Sequence, residues 1–244
     1  MENDDRQIGQ ILSRRDALKL MGLTGAALLA GCVPGASELA TSTAAPASTG
    51  AGALPACVVR PELTEGPYFV DEDLDRSDIR SDPATGAVSE GVPLALTFNV
   101  SRVSGGACTR LPGAKVDVWH CDARGIYSDV QDPNVDTTGQ KFLRGYQVTD
   151  ANGQAGFVTI YPGWYSGRTV HIHFKVREDS GREFTSQLFF DDLLSDQVFA
   201  QAPYAARGQR NVLNSDDRIY DGMLVLDVTQ VGEGYVAAFD IGLA

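Results

Sequence analysis

Residues 161 to 176 read YPGWYSGRTVHIHFKV and contain two of the three histidines in the chain, His171 and His173, with only Ile172 between them. Side chains alternate across an extended strand, so this spacing sends both imidazoles to one face. A neutral imidazole nitrogen is the commonest metal ligand, and such a pair supplies half of a coordination shell. Two tyrosines stand where they could complete it: Tyr165, six residues before His171, and Tyr127 in WHCDARGIYSDV, just past a strand-like run. Two phenolates with two imidazoles form a hard, doubly negative donor set, which suits Fe(III) better than Zn(II). Each phenol must give up a proton that it holds to about pH 10 when free, and a strongly charged cation supplies that pKa depression. Taken singly, each tyrosine reads as a half-buried core residue and the histidines as a polar strand face. Only the combination carries the chemistry.

The elements that must position these groups are short strands. VPLALTFNVSRV, AKVDVWHCD, FLRGYQVTD, GQAGFVTIYP, TVHIHFKVRE, EFTSQLFF, MLVLDVTQV and GYVAAFDIGL are each rich in β-branched and aromatic residues and bounded by Gly, Asp, Asn or Pro. Turn signals such as Asp150-Ala151-Asn152-Gly153 separate them. Only DDLLSDQVFAQAPYAA, residues 191 to 206, has a helical pattern. The expectation is an all-β fold: an antiparallel β-sandwich with long loops and at most one or two short helices.

At 244 residues, with 43% hydrophobic and 21% charged residues, the chain can bury a substantial core. Its front end reads differently. Arg14 and Arg15, then Lys19, precede an apolar Gly/Ala-rich run that closes on Leu29-Ala30-Gly31-Cys32. Residues 1–32 therefore read as a twin-arginine export signal with a lipobox-like end, Cys32 being the residue that would carry lipid; an ordinary small-residue cleavage site is the alternative. Residues 33–55, rich in Ala, Ser, Thr, Gly and Pro, read as a flexible linker, and 56–244 as the catalytic domain. Residues 1 to 31 carry Arg6, Arg14, Arg15 and Lys19 against Glu2, Asp4, Asp5 and Asp16, so their removal leaves the net charge at −12. That balance argues against nucleic acid as a partner and leaves a lipid anchor as the only expected membrane contact. Outside the cytoplasm, Cys57, Cys108 and Cys121 allow one disulfide and one free thiol. Cys57 with Cys108 is the preferred pairing, because both flank Pro/Gly-marked loops.

PGWYSGRTVHIHFKV, VDVWHCDARGIYSDV, LTEGPYFVDEDLDRSDIR and TSQLFF together resemble the intradiol ring-cleavage dioxygenases, from about residue 57 to the C-terminus. The likeness is greatest to the protocatechuate-type catalytic core in its short, exported form. The resemblance implies a non-haem Fe(III) enzyme that uses O2 to split a catechol between its hydroxylated carbons, yielding a muconate-type dicarboxylic acid. It places the iron ligands at Tyr127, Tyr165, His171 and His173, with Tyr165 and His173 axial and Tyr165 released when substrate binds. It further places the active-site arginine at Arg168, a glutamine facing the open coordination position at Gln187, and a substrate-pocket wall at Pro67 and Tyr68 in EGPYF. The segment between Tyr165 and the histidine pair is shorter than in the larger enzymes, and Arg168-Thr169-Val170 replaces their Arg-Pro-Ala, which bears on substrate identity. His120, in WHCD, reads as a packing residue or as a neighbour of the ligands, not a fifth ligand. Two other readings use the same residues: a zinc or copper enzyme on the histidine pair, and an extracytoplasmic β-sandwich binding module whose histidines are structural.

Overall fold

The computed structural model describes residues 58–132 and 135–244. The export signal, the linker, Cys32 and Cys57 lie outside the described residues. The framework is two sheets face to face. In the first, β1 (Pro93–Ser104) is central. On one edge it pairs with β11 (Gly234–Leu243), which carries β10 (Val228–Val231) beyond it. The other edge is shared by β7 (Gln154–Ile160) along the first half of β1 and by β2 (Ala107–Arg110) along the second. The second sheet has the order β6 (Arg144–Val148), β3 (Lys115–Trp119), β8 (His171–Arg177), β9 (Glu183–Phe189), antiparallel throughout. A two-residue ladder joins β4 (Gln131–Asp132) to β5 (Val135–Asp136).

Alternation builds the core. Leu94, Leu96, Phe98 and Val100 of β1 point inward and are essentially inaccessible, while Pro93, Ala95, Thr97 and Asn99 between them are more exposed. From the opposite sheet Ile172, Phe174 and Val176 point back. The Phe174 ring lies 5.1 Å from Phe98 and 5.7 Å from Phe239, tilted or edge-on, so three rings from three strands close the middle of the sandwich.

The all-β sandwich expectation holds, with one local difference. β1 and β11 run parallel, because the chain leaves β9 through α1 (Asp192–Phe199) and three short 3-10 turns before re-entering beside β1. Asp191 caps α1 by accepting from the backbone N–H of Leu193 and Leu194. The helix stops at Phe199, and Tyr204–Arg207 form a separate turn, so the expected 191–206 helix is two pieces. Of MLVLDVTQV only the last four residues are strand; Gly222–Leu224 form a 3-10 turn. Cys108 is in a disulfide, and Cys121 is a free, buried thiol.

Candidate metal centre

β8 is buried on both faces, which half-buried strands of sandwiches are not. Ile172, Phe174 and Val176 serve the sandwich core; His171, His173 and Lys175 occupy the outer face. Cross-strand register then lines up four large polar or aromatic side chains in one row: Arg144 on β6, Trp119 on β3, His173 on β8 and Gln187 on β9. None is more than 2% exposed. Trp119 stacks on the His173 ring at 5.0 Å and 11°.

The row is dry because residues 61–69 cross it as a strap. The Leu63 amide donates to Thr185 O (3.0 Å), and the Gln187 side-chain amide donates to Thr64 O (3.0 Å). Lys175 pairs with Glu65 and lies 4.2 Å from the centre of the Phe69 ring, which in turn packs 4.8 Å from Trp119. Between them Gly66, at φ 73°, passes so close to the His173 ring that a Cβ would sit 3.2 Å from its Cε1 and 3.8 Å from its Nε2. The left-handed backbone favours glycine here, and any larger residue would also press on the His173 ring.

Both tyrosines come from turns, and the turns are locked together. The Asp122 N–H donates to Ile126 O (2.8 Å), and the N–H of Gly125 and of Gly163 both donate to Asp122 O (2.9 and 3.1 Å). A Cβ on Gly163 would lie 2.4 Å from Asp122 O, so the two chains approach closer than any other residue allows. This contact brings the Tyr127 and Tyr165 rings to 5.8 Å, edge-on.

Three distances define the centre. His171 Nε2 lies 3.0 Å from His173 Nε2, 3.1 Å from Tyr165 Oη and 3.4 Å from Tyr127 Oη. Atoms bound about 2.1 Å from a common ion are separated by about 3.0 Å at right angles and about 3.4 Å at tetrahedral angles. The three other donor atoms therefore lie around His171 Nε2 at the distances that neighbouring ligands of one ion keep. His171 Nδ1 is engaged with Thr169 O at 2.6 Å, which makes it the N–H donor and turns the Nε2 lone pair into the shared space. Nδ1 of His173 is buried without a hydrogen-bond partner. Among the described residues no group of three His, Cys, Asp or Glu side chains is placed to hold a metal, so a metal here needs the phenols.

Burial dominates the electrostatics. It pushes Tyr127 well above the ordinary phenol value, reinforced by Tyr165 beside it, and raises Tyr165 too. Burial also holds His171 down to about 3 and His173 well below its ordinary value, with the neighbouring imidazole and Arg168 adding to the effect on His173. Burial thus keeps all four groups neutral, so a cation entering the centre must displace two phenolic protons. The donor chemistry fits a hard, highly charged ion able to do so.

Arg168, which strict alternation would have put on the far face, lies in the turn before β8 and folds over the centre. Its Nε donates to Asp217 (2.9 Å) and its Nη2 to Gln187 Oε1 (2.6 Å). Asp217 also accepts from the backbone N–H of Thr169 and Ile219. Gln187 is thus engaged at both ends, by Arg168 and by Thr64, and its geometry is that of a group that orients the guanidinium. Tyr68 stacks on Tyr127 at 4.5 Å and meets Tyr165 edge-on at 6.2 Å, with exposed Pro67 beside it. His120 faces the other way: its ring nitrogens bond Cys121 O (2.8 Å) and Thr159 Oγ1 (2.6 Å), tying the segment just past β3 to β7. It is a packing residue. Gly66, Trp119, Arg144 and Asp217 were not singled out by sequence. Trp119 and Arg144 have a signal only when strand register is known, and Asp217 is 46 residues from His171 in a loop.

Comparison with known proteins gives matches in both sequence and fold. A family model described as Dioxygenase matches residues 64–231. The protocatechuate 3,4-dioxygenase beta chain of Burkholderia cepacia is 33% identical over 190 residues, covering 72% of this chain and 76% of that one. Catechol 1,2-dioxygenase of Acinetobacter baylyi is 30% identical over 154 residues, and this chain spans 45% of its length. Among solved structures, the intradiol ring-cleavage dioxygenase from Tetranychus urticae superposes with a TM-score of 0.68 at 32% identity, over 76% of this chain and 94% of that one. The dioxygenase domain of a carbohydrate-binding fusion from Streptomyces sp. SirexAA-E gives 0.56 at 30% identity, over 76% and 98%.

Proposed function

Because the chain belongs to the intradiol ring-cleavage dioxygenases, we propose that it holds Fe(III) on Tyr127, Tyr165, His171 and His173 and uses O2 to open a catechol-type ring between its hydroxylated carbons, giving a muconate-type dicarboxylic acid. The observation that carries this reading is the convergence of two phenol oxygens and the His173 Nε2 within 3.0 to 3.4 Å of His171 Nε2, with a fixed guanidinium alongside. Bound ferric iron would supply Lewis acidity and an electron sink to a chelated catechol.

The protein's own groups do the rest. Tyr165 is half-buried while Tyr127 is only 3% exposed, so Tyr165 Oη is the phenol that can take up a catechol proton and move aside. Tyr127, pinned between Tyr68 and the sheet, stays in place. Arg168, held by Asp217 and Gln187, presents a preoriented positive charge to the negative charge that develops on the ring as oxygen attacks. Tyr68 offers an aromatic wall against which a flat substrate ring can lie, and the strap keeps bulk water from the histidines. Export of the chain, with lipid at Cys32, belongs to the same proposal and rests on residues 1–32. The N-terminal residue of the mature protein and its partition into detergent test it.

Purified protein should contain about one iron per chain and be wine-red from tyrosinate-to-iron charge transfer, and it should take up O2 on addition of catechol, a carboxylated catechol or a trihydroxylated ring. Tyr127→Phe should remove most of the colour and iron. A colourless protein with stoichiometric zinc after growth on supplied iron, or a Tyr127→Phe variant with unchanged metal content, would refute the assignment.

A further inference from the structure

We propose that Arg144 is a positioning residue for the metal centre: its guanidinium clamps the strap and the Tyr127 loop together and so sets the Tyr68–Tyr127 stack. The inference rests on the reading of the centre as an iron site. Arg144 heads the four-strand row and is 2% exposed. A guanidinium that deep normally meets a carboxylate. Here all four hydrogen bonds end on neutral oxygens: Nε on Ser128 O (3.1 Å) and Ser128 Oγ (2.9 Å), Nη2 on Ser128 O (2.6 Å), and Nη1 on Tyr68 O (2.7 Å).

Those acceptors belong to two segments far apart in sequence. Ser128 follows the donor Tyr127, and Tyr68 is the residue whose ring lies on the Tyr127 ring at 4.5 Å. The fork of one side chain therefore fixes the backbone beneath both rings. The same Tyr127–Ser128 segment is also held by Thr137 Oγ1 donating to Tyr127 O (2.7 Å) and by Ser128 Oγ, which accepts from Arg144, donating to Phe142 O (2.6 Å). Of these ties only Arg144 also reaches the strap, and only it reports from the strand row that carries His173. Its planar, multi-donor geometry is essential: an ammonium can match the charge but cannot reach Ser128 and Tyr68 at once.

The test is Arg144→Lys in the full chain, with Ser128→Ala alongside. Three readouts apply: near-ultraviolet circular dichroism of the metal-stripped protein, which reports the Tyr68–Tyr127 stack without iron; the visible charge-transfer band of the iron-loaded protein; and KM and kcat for catechol. The clamp predicts a diminished near-ultraviolet signal, a shifted and weaker band, and a KM raised by about 10-fold or more with a smaller change in kcat, in the range typical of partners that orient ligands. A folded Arg144→Lys protein that merely melts at lower temperature, with near-ultraviolet signal, band and KM as in wild type, overturns the proposal. If Arg144→Lys does not fold, Ser128→Ala decides: the same changes at smaller amplitude support the clamp, and unchanged spectra overturn it. A wild-type protein that binds no iron would sink the iron reading itself, which the near-ultraviolet arm tells apart from failure of the clamp.

Discussion

Replacing Arg168 by Gln separates the charge of the centre from its stability. The ion pair with Asp217 is nearly sealed, with side chains 13% and 2% exposed and a 2.9 Å contact. Removing one partner of a buried pair costs about 3–5 kcal/mol. Arg168 keeps some solvent, and Asp217 keeps two backbone donors, so the loss belongs at about 3 kcal/mol. For a domain of this size that is about 6–12 °C in melting temperature. Turnover should fall separately, by about 10²- to 10³-fold, the effect of losing one preorganised electrostatic donor. The double variant Arg168→Gln/Asp217→Asn removes the stranded carboxylate, so it should recover part of the melting temperature and none of the turnover.

The pH dependence of the same variant has a definite sign. In the wild type burial raises the Asp217 pKa, but the Arg168 charge and the backbone N–H of Ile219 and Thr169 outweigh it, and the net position is below the ordinary carboxylate value. A folded pKa below the unfolded one gives stability that is present above about pH 4 and is lost as pH falls through the folded value. Without Arg168, burial prevails and the folded pKa rises above the unfolded one, so the variant loses stability as pH rises through it. The gap in melting temperature between wild type and Arg168→Gln should therefore widen from about pH 4 to pH 7. Oxygen uptake and thermal melts across that range are the assays. A constant gap refutes the electrostatic pairing of Arg168 with Asp217, and a double variant that regains turnover refutes the argument that the Arg168 charge acts on the reaction and not only on Asp217.

Gly66→Ala should cost about 1–2 kcal/mol for its left-handed backbone, and the 3.2 Å approach to His173 Cε1 should make it lose iron faster in dialysis against a chelator; equal iron retention would show that the strap yields without disturbing His173. His120→Ala should lower stability by about 2–5 kcal/mol at neutral pH yet keep about one iron per chain by metal analysis. Burial depresses the His120 pKa from 6.5 to about 4, so the neutral ring's contribution is full above pH 6.5 and shrinks as pH falls toward 4. The denaturation gap between wild type and His120→Ala should close over that window, and a gap that grows with acid would put a charged ring at this site.

What sequence made legible here was whatever depends on spacing along one strand. His171 and His173 share a face because alternation demands it, and the residues of GYVAAFDIGL form β11 from end to end. Where pairing partners decide, sequence is silent. The parallel placement of β11 beside β1 follows from a return path through α1 and three turns, none of which is encoded in either strand's own pattern. Gln187 could be assigned to the site by resemblance, but only the His173↔Gln187 register shows that it lies opposite the histidine, and only its two hydrogen bonds show that it holds Arg168. Arg144 sits in FLRGYQVTD as an unremarkable strand residue until the same register puts it in the row.

The double-sided burial of β8 explains why this centre tolerates little sliding. A one-residue slip against β3 and β9 would send His171 and His173 into the Phe98–Phe239 core and bring Ile172 and Phe174 beneath the strap. Each exchange would desolvate an imidazole among phenyl rings and leave the Thr169, Gln187 and Lys175 contacts unmade. The phenol donors have no such safeguard, since Tyr127 and Tyr165 stand on turns. Their placement relies instead on the close approach at Gly125 and Gly163, on the Asp122 carbonyl that both turns share, and on the strap above. Rigid strands thus supply the nitrogen donors and locked turns the oxygen donors. On the proposed mechanism that division matters, because Tyr165 is the more exposed of the two phenols while Tyr127 and the histidines lie fully buried where the sheet and its clamps hold them.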